Sequence, residues 1–510
     1  MIVLSALGDD KDLSFRELDR ISGKVYRYLQ DHGIGREDFV NILLPRGVEP
    51  FIAMLGVWKA GAAFVLLEEG YPAERTAFIQ KDCEAKLILD RAAWEEVLQC
   101  EPLDGFAEVN EHDAAFAVYT SGTTGTPKGV LHEYGNLDLI SQSLRCNEKP
   151  LASPRNHFAM IAPLNFVAAV QAFICVLDIG LNMSIVPYSI VKNPPALVRA
   201  FTEAGVDTVF CAPSIYRLFR KIPVLKIFFV GSEPANGIWS DDPEIKVINS
   251  YNMSETAFSA AIGFLDKPNE IAPVGKPLTE MKITIRDEEG NPVPDGEAGE
   301  LCVEDPFVRG YINHPEQTAK AFVNGEFHTR DLARKLPDGQ YEVIGRIDDM
   351  IKISGNRVEP AEIEAAVRRV SGLEQVVARS FGEGEDTAIC LYYADPVDLN
   401  LEELREKLGA ILPYYMIPSH FIHLDELPRT ATEKISRRLL PKPVEEQAAY
   451  AAPENDTERA LCDAMASVLE LDRFSAEDDF YRMGGSSISS MEVLSVCGLP
   501  AEKSFPGAAL

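Results

Sequence analysis

The segment Tyr119–Val130 reads YTSGTTGTPKGV. Within it, Ser121–Gly129 packs three glycines, three threonines, one serine and one lysine into nine residues. Glycines let backbone N–H groups approach an anion, hydroxyls donate further bonds, and Lys128 adds charge; phosphate oxygens need such donors. The preceding Ala115–Tyr119 reads as a strand feeding the loop. The rival nucleotide loop, G-x-x-x-x-G-K-[ST], does not fit, because Lys128 is followed by Gly129. The remaining reading is a hydroxyl-rich surface turn, which rarely combines this composition with a strand entry. The segment therefore predicts a triphosphate-binding loop.

On either side of the loop, helical and strand patterns alternate. Glu17–Leu29 carries Leu18, Ile21, Val25 and Leu29 at helical spacing, and Pro195–Ala204 reads as a helix too. Short β-rich runs lie at Phe39–Leu44, Phe64–Leu67, Lys86–Leu89, Thr208–Cys211 and Ile227–Val230. Helices interleaved with buried strands predict an α/β fold: a large N-terminal domain, residues 1–344, of layered, mostly parallel sheets. Near Ile344 the texture changes to a charged, glycine-punctuated stretch, GRIDDMIKISGNR, followed by an amphipathic helix at Pro360–Val370. A small α+β domain over 345–441 is expected, then a Pro/Ala/Glu-rich linker over 442–453 and a small all-α module over 454–510 that begins with a helix at Thr457–Leu469.

The 510 residues and 46% hydrophobic content allow several cores. A net charge of −30 argues against nucleic acid and against an anionic membrane surface, yet leaves room for ATP held by local cations and N–H groups. Nine dispersed cysteines, none in C-x-x-C, read as reduced thiols. The first residues lack a basic n-region, and the apolar stretch Val167–Leu177 is too short to span a bilayer. A cytoplasmic location is the expectation.

The loop resembles the signature of the adenylate-forming enzymes, which include acyl- and aryl-CoA ligases, luciferases and the adenylation domains of nonribosomal peptide synthetases. Other segments resemble the family in the same order: Leu13–Leu18, Trp58–Phe64, Asn249–Thr256 (NSYNMSET, like Y-G-x-[ST]-E), Thr329–Asp331 (TRD, like T-G-D), Gly345–Glu364 and Leu427–Pro441. The resemblance implies activation of a carboxylic or amino acid by ATP as acyl-AMP, with release of pyrophosphate, followed by capture on a thiol. It assigns the triphosphate to Thr120, Ser121, Gly122, Thr123, Thr124, Gly125 and Lys128, adenine stacking to Tyr251, Mg²⁺ to Glu255, and the ribose to Asp331 with Arg346 nearby. Lys434 is assigned the charge between carboxylate and α-phosphate, with Glu255 and Thr124 as further catalytic residues, and Asp348 the hinge about which the small domain turns. Three positions depart from the pattern: Asn252, Arg330 and Glu433 stand where the family has glycine.

For the substrate, matching Phe166–Leu177 to the family's F-D-x-S segment puts Val167 where amino-acid-activating members present an aspartate to the α-ammonium. Either the substrate lacks that ammonium or another group, such as Asn165, meets it. The same matching nominates Phe166, Ala168, Gln171, Phe210, Phe228, Val230, Ser250, Phe258 and Ser259 as pocket residues. Asp478–Ile488 (DDFYRMGGSSI) resembles the D-x-F-x-x-x-G-G-x-S motif of carrier proteins, with Ser487 as phosphopantetheine site, although little chain follows it. A carrier in cis or in trans, and other synthetase modules, are the implied partners. The alternatives are a free-standing acyl- or aryl-CoA ligase and a non-catalytic adenylate-binding scaffold.

Overall fold

The structure is a computed structural model. It describes residues 2–7, 12–121, 126–146, 157–191, 193–256, 259–277, 281–304, 307–347, 350–353, 356–382, 387–395, 399–428, 435, 437–443, 451–469, 471, 473–478, 480, 493, 496 and 497.

Contacts divide the chain into two compact units. The first holds Met1–Thr120, Pro127–Pro187 and Phe201–Asp348; the second holds Ser121–Thr126, Tyr188–Ala200 and Asp349–Leu510. Within the first unit, helix Phe15–Asp31 starts where Ser14 and Glu17 form a reciprocal capping box, each side chain accepting the other's backbone N–H. Its buried face carries Leu18, Val25 and Leu29, with Ile21 partly covered. Helix packing therefore follows the periodicity read from the sequence.

Two sheets organise this unit among the described residues. In one, Leu87–Leu89, Phe39–Ile42, Ala63–Leu66 and Ala114–Thr120 run parallel, and Lys128–Glu133 and Val308–Tyr311 complete it antiparallel. The other has fourteen strands. Its parallel run includes Asn182–Ile185, His157–Met160, Thr208–Cys211, Ile227–Gly231 and Lys246–Tyr251. From Ala261–Phe264 onward the pairing is antiparallel, through Pro273–Pro277, Tyr341–Arg346, Glu326–Lys335, Ala298–Glu304 and Lys282–Arg286. The α/β layering is as expected; Phe39–Ile42 and Ala63–Leu66, for example, are parallel strands joined through helix Glu49–Lys59, while the short connection from Lys246–Tyr251 to Ala261–Phe264 permits antiparallel neighbours. Gly275 makes one close approach possible. Its φ is +87°, and a Cβ there would fall 1.7 Å from the Ile262 carbonyl oxygen.

In the second unit, Val376–Phe381, Ala388–Tyr393 and His420–His423 form a three-stranded sheet against helices Pro360–Ser371 and Leu401–Gly409. Ile363, Val367, Leu391 and Leu408 are buried in its core. Helix Asp456–Val468 opens a separate apolar cluster that includes Met465, Phe474, Phe480 and Val493. No helix among the described residues is long and apolar enough to cross a membrane. The eight described cysteine side chains are free thiols.

Candidate active site

The glycine- and threonine-rich segment joins two antiparallel strands, Ala114–Thr120 and Lys128–Glu133, with Thr120 opposite Lys128 in register. Thr120 Oγ1 is buried and has no hydrogen-bond partner among the described residues. A buried hydroxyl without a partner carries an uncompensated desolvation cost, which a ligand oxygen would remove. Ser121 donates its hydroxyl to the Arg357 carbonyl at 2.8 Å. Gly122, Thr123, Thr124 and Gly125 lie outside the described residues, as do Phe258, Asp348, Lys434 and Ser487.

Lys128 is buried, and its Nζ lies 3.7 Å from Oε1 of Glu255, a fully buried carboxylate. The same oxygen accepts the hydroxyl of Tyr311 at 2.9 Å. Lys128 Nζ stands 3.9 Å from the centroid of the Tyr311 ring, close enough for a cation–π attraction. Strand Val308–Tyr311 pairs with Lys128–Glu133, so tertiary register rather than sequence proximity brings the tyrosine here. A carboxylate beside an ammonium is compatible with a phosphate-bound divalent cation. The carboxylate suits the hard metal and the ammonium suits the phosphate. Glu255, Lys128 and the Thr120 hydroxyl, which lacks a partner among the described residues, thus fit Mg²⁺ and a triphosphate; Glu255 would hold the metal, and the metal would neutralise phosphate charge.

The turn carrying Glu255 is held from below. His132 Nε2 lies 2.9 Å from the Ser254 carbonyl, and Nδ1 accepts from Asn136 Nδ2 at 3.2 Å. Phe116 stacks on the imidazole at 4.4 Å. Because a carbonyl only accepts, the Nε2–H tautomer is required. Burial pushes the His132 pKa down to about 4, so a neutral ring does the holding.

Asp331 is gripped by two donors: Arg346 Nη1 to Oδ1 at 2.8 Å, and the Tyr251 hydroxyl to Oδ2 at 2.5 Å. Burial and the carboxylate push the Tyr251 pKa up, which keeps the proton on the donor. The Asp331 N–H donates to Thr329 Oγ1 at 3.0 Å, and that hydroxyl donates to the Leu301 carbonyl at 2.7 Å. Between them Arg330 has a φ of +61°, in the region glycine adopts without cost. Its N–H donates to Glu300 Oε1 at 3.0 Å. Arg330 thus holds a left-handed backbone conformation at the position where the motif it resembles has glycine.

Of the proposed acid-pocket residues, Phe210, Val230 and Ser250 lie near the carboxyl ends of parallel strands, where α/β sheets place ligands. Phe210 sits near the end of Thr208–Cys211, and Phe229 is its partner in the next strand; Gly231 pairs with Ser250. Ser250 and Ser259 share a hydroxyl hydrogen bond of 2.5 Å. Val167 begins helix Val167–Ile179 after Phe166 as N-cap; Val167 and Gln171 are buried and Ala168 half-buried. Phe228 and Val230 are fully buried, and Phe228 meets Tyr216 edge-on at 5.0 Å, so these two are core positions. Asn165 donates to the Tyr71 hydroxyl, while its Oδ1 is buried without a partner among the described residues. Tyr311 and His132 are the side chains that motif reading missed; neither stands in a segment whose composition signals chemistry.

A profile of the AMP-binding enzyme family matches residues 2–312. A mycosubtilin synthase polypeptide of Bacillus subtilis is 31% identical over 96% of the chain, and tyrocidine synthase 1 of Brevibacillus parabrevis is 31% identical over 95%. The chain spans only 20% of the first and 48% of the second. Among solved structures, o-succinylbenzoate CoA synthetase of Bacillus subtilis (a double mutant) superposes with a TM-score of 0.74 at 22% identity, covering 86% of this chain and 94% of that one. An artificially fused adenylation–PCP di-domain from Klebsiella oxytoca gives 0.73 at 22% identity, covering 82% and 90%. These structural matches concern the fold. The chain belongs to the AMP-binding enzyme family. It is an adenylate-forming ligase.

Proposed function

We propose that this chain activates a small carboxylic or amino acid as its acyl-adenylate and passes the acyl group to the phosphopantetheine thiol of a carrier protein, as a unit of a nonribosomal peptide synthetase. The observation that carries the reading is the buried Lys128–Glu255–Tyr311 cluster at the foot of a loop whose entry hydroxyl, on Thr120, lacks a partner among the described residues. In the first step a carboxylate oxygen bonds to the α-phosphorus of ATP and pyrophosphate leaves. In the second, the thiol sulfur bonds to the acyl carbon and AMP leaves. Thr120, Ser121 and Lys128 bind the triphosphate, Tyr251 faces the adenine, Asp331 and Arg346 orient the ribose, and Lys434 balances charge at the reacting phosphate. Asp348 is the hinge that lets one site serve both steps.

The acid is one whose polar end meets Asn165 rather than an aspartate, because Val167 offers no charge to an α-ammonium. The likeness to synthetases over the whole chain supports a carrier as acceptor. So does the apolar cluster in which Val493, beyond Ser487 in the chain, joins residues of helix Asp456–Val468. ATP–pyrophosphate exchange across amino, keto, aryl and fatty acids tests the first step, and exchange with none of them removes the reading. Intact mass after incubation with a phosphopantetheinyl transferase and CoA tests Ser487. No gain, with acyl transfer to a separate carrier, moves the acceptor in trans; transfer to free CoA alone makes the chain a CoA ligase.

A further inference from the structure

We infer that Glu300, Cys302 and His328 form a binding site for a zinc-type divalent cation, separate from the Mg²⁺-binding carboxylate of the nucleotide site. Their ligand atoms lie within 4.8 Å of one another, on the face of strand Glu326–Lys335 away from the buried Thr329 and Asp331. Glu300 and Cys302 are two apart on strand Ala298–Glu304 and share a face; His328 is the cross-strand partner of Cys302. Three different donors converge: a carboxylate oxygen, a thiol sulfur and an imidazole nitrogen. Carboxylate, thiolate and imidazole are the ligand types that zinc accepts together.

Two of the ligand distances lie near those the metal sets. Cys302 Sγ lies 3.6 Å from His328 Nδ1. Zinc bond lengths and a tetrahedral angle put a ligating sulfur and nitrogen about 3.6 Å apart. His328 Nδ1 is 2.8 Å from Glu300 Oε2, a hydrogen bond in this structure. Tetrahedral ligation sets that pair about 3.3 Å apart, so the carboxylate has to withdraw by about 0.5 Å. On binding, the His328 Nδ1 proton that bonds Glu300 in the free chain is given up and Nε2 carries the ring's remaining proton, Cys302 releases its proton to solvent, and the metal takes the imidazole nitrogen and the thiolate; no oxidant or reductant is involved. With three protein ligands, the fourth position is left to water.

The neighbouring charges allow a cation. Glu326 already accepts from Thr284 at 3.0 Å and from Arg286 at 2.5 Å, so Arg286 is engaged there. Arg330 Nε is 3.6 Å from Glu300 Oε1, and its side chain is half exposed, able to turn into solvent. Glu300 and His328 are partly accessible, which gives an ion a way in. A metal here clamps two strands around the bulge that carries Arg330 and Asp331, because Leu301, between Glu300 and Cys302, accepts the Thr329 hydroxyl that in turn receives the Asp331 N–H.

The test is titration of the metal-free full chain with Co²⁺, followed by displacement with Zn²⁺. We expect one equivalent to produce a thiolate-to-cobalt charge-transfer band with visible bands of tetrahedral intensity, both bleached by Zn²⁺. Cys302→Ser should abolish the charge-transfer band, and Cys390→Ser, at a buried thiol in the second unit, should leave it. His328→Gln should weaken cobalt binding by roughly 10-fold or more. If Cys302→Ser does not fold, His328→Gln and Glu300→Gln decide by the same spectrum, with circular dichroism reporting their folding. Weak octahedral bands only, or a charge-transfer band that survives both His328→Gln and Cys302→Ser, overturns the site. Pyrophosphate exchange is not the readout, so failure of the nucleotide assignment and failure of the metal site are distinguishable.

Discussion

Lys128 Nζ lies 3.7 Å from Oε1 of Glu255, and the two side chains are 6% and 0% exposed. Burying such a pair costs desolvation on both sides, and the Coulomb attraction offsets it only while both charges are present. Glu255→Gln leaves the ammonium over the Tyr311 ring without this carboxylate. The substitution should cost on the order of 3 kcal/mol of stability. It should also lower pyrophosphate exchange on the order of 100-fold. Urea midpoints and exchange rates at saturating ATP check the two effects separately.

His132 supplies the pH dependence. Its folded-state pKa, about 4, is depressed from 6.5 by complete burial. Between those values the unfolded chain binds more protons than the folded one, so stability rises with pH there. The contribution is fully present above about pH 6.5 and is lost as pH falls to about 4, on the order of 3 kcal/mol in all. His132→Gln keeps a donor for the Ser254 carbonyl and removes the titration. The urea midpoint of the variant should therefore fall less steeply between pH 6.5 and 4 than that of the parent; equal slopes would place the acid sensitivity elsewhere.

Of the segments assigned to the nucleotide, only the loop Ser121–Gly129 carries a chemical reading of its own in the sequence. Its glycines, hydroxyls and lysine stand within nine residues, whereas NSYNMSET and TRD are assigned through their resemblance to the family's motifs. Tyr311 and His132 carry neither kind of signal. They reach Glu255 and Ser254 through strand pairing and packing between segments far apart in the chain, which periodicity does not encode. The same limit applies to the sheets. Ile283 and Ile285 alternate with more exposed neighbours in Lys282–Arg286, which marks a strand with one buried face but not the direction of its partner. Phe228 and Val230 have the apolar character of pocket residues, but strand packing makes them core.

Arg330 holds a φ of +61° in a motif where the family has glycine. A left-handed conformation costs a residue with a Cβ roughly 1–2 kcal/mol, while glycine's greater unfolded-state entropy returns part of that. The ion pair with Glu300 is solvent-exposed on the arginine side and adds little. Arg330→Gly should raise stability by about 0.5–1 kcal/mol and leave the KM for ATP within about twofold. Arg330→Val, with a β-branched side chain at the same φ, should lower stability instead. Urea denaturation of the two variants, which must move in opposite directions, checks the assignment.

Thr120 separates a ligand-binding role from a structural one. Its Oγ1 is buried without a partner among the described residues, so the folded chain bears a desolvation cost that no protein bond returns there. Thr120→Val removes the hydroxyl and leaves a side chain of nearly the same size. If the hydroxyl serves the triphosphate, the variant should gain up to about 1 kcal/mol of stability without nucleotide, and its KM for ATP should rise about 10-fold. A hydroxyl that supported only the fold would give the reverse, lower stability and an unchanged KM. Thermal unfolding with and without ATP makes the contrast direct, since the ATP-induced rise in Tm should shrink in the variant although its ligand-free Tm does not fall.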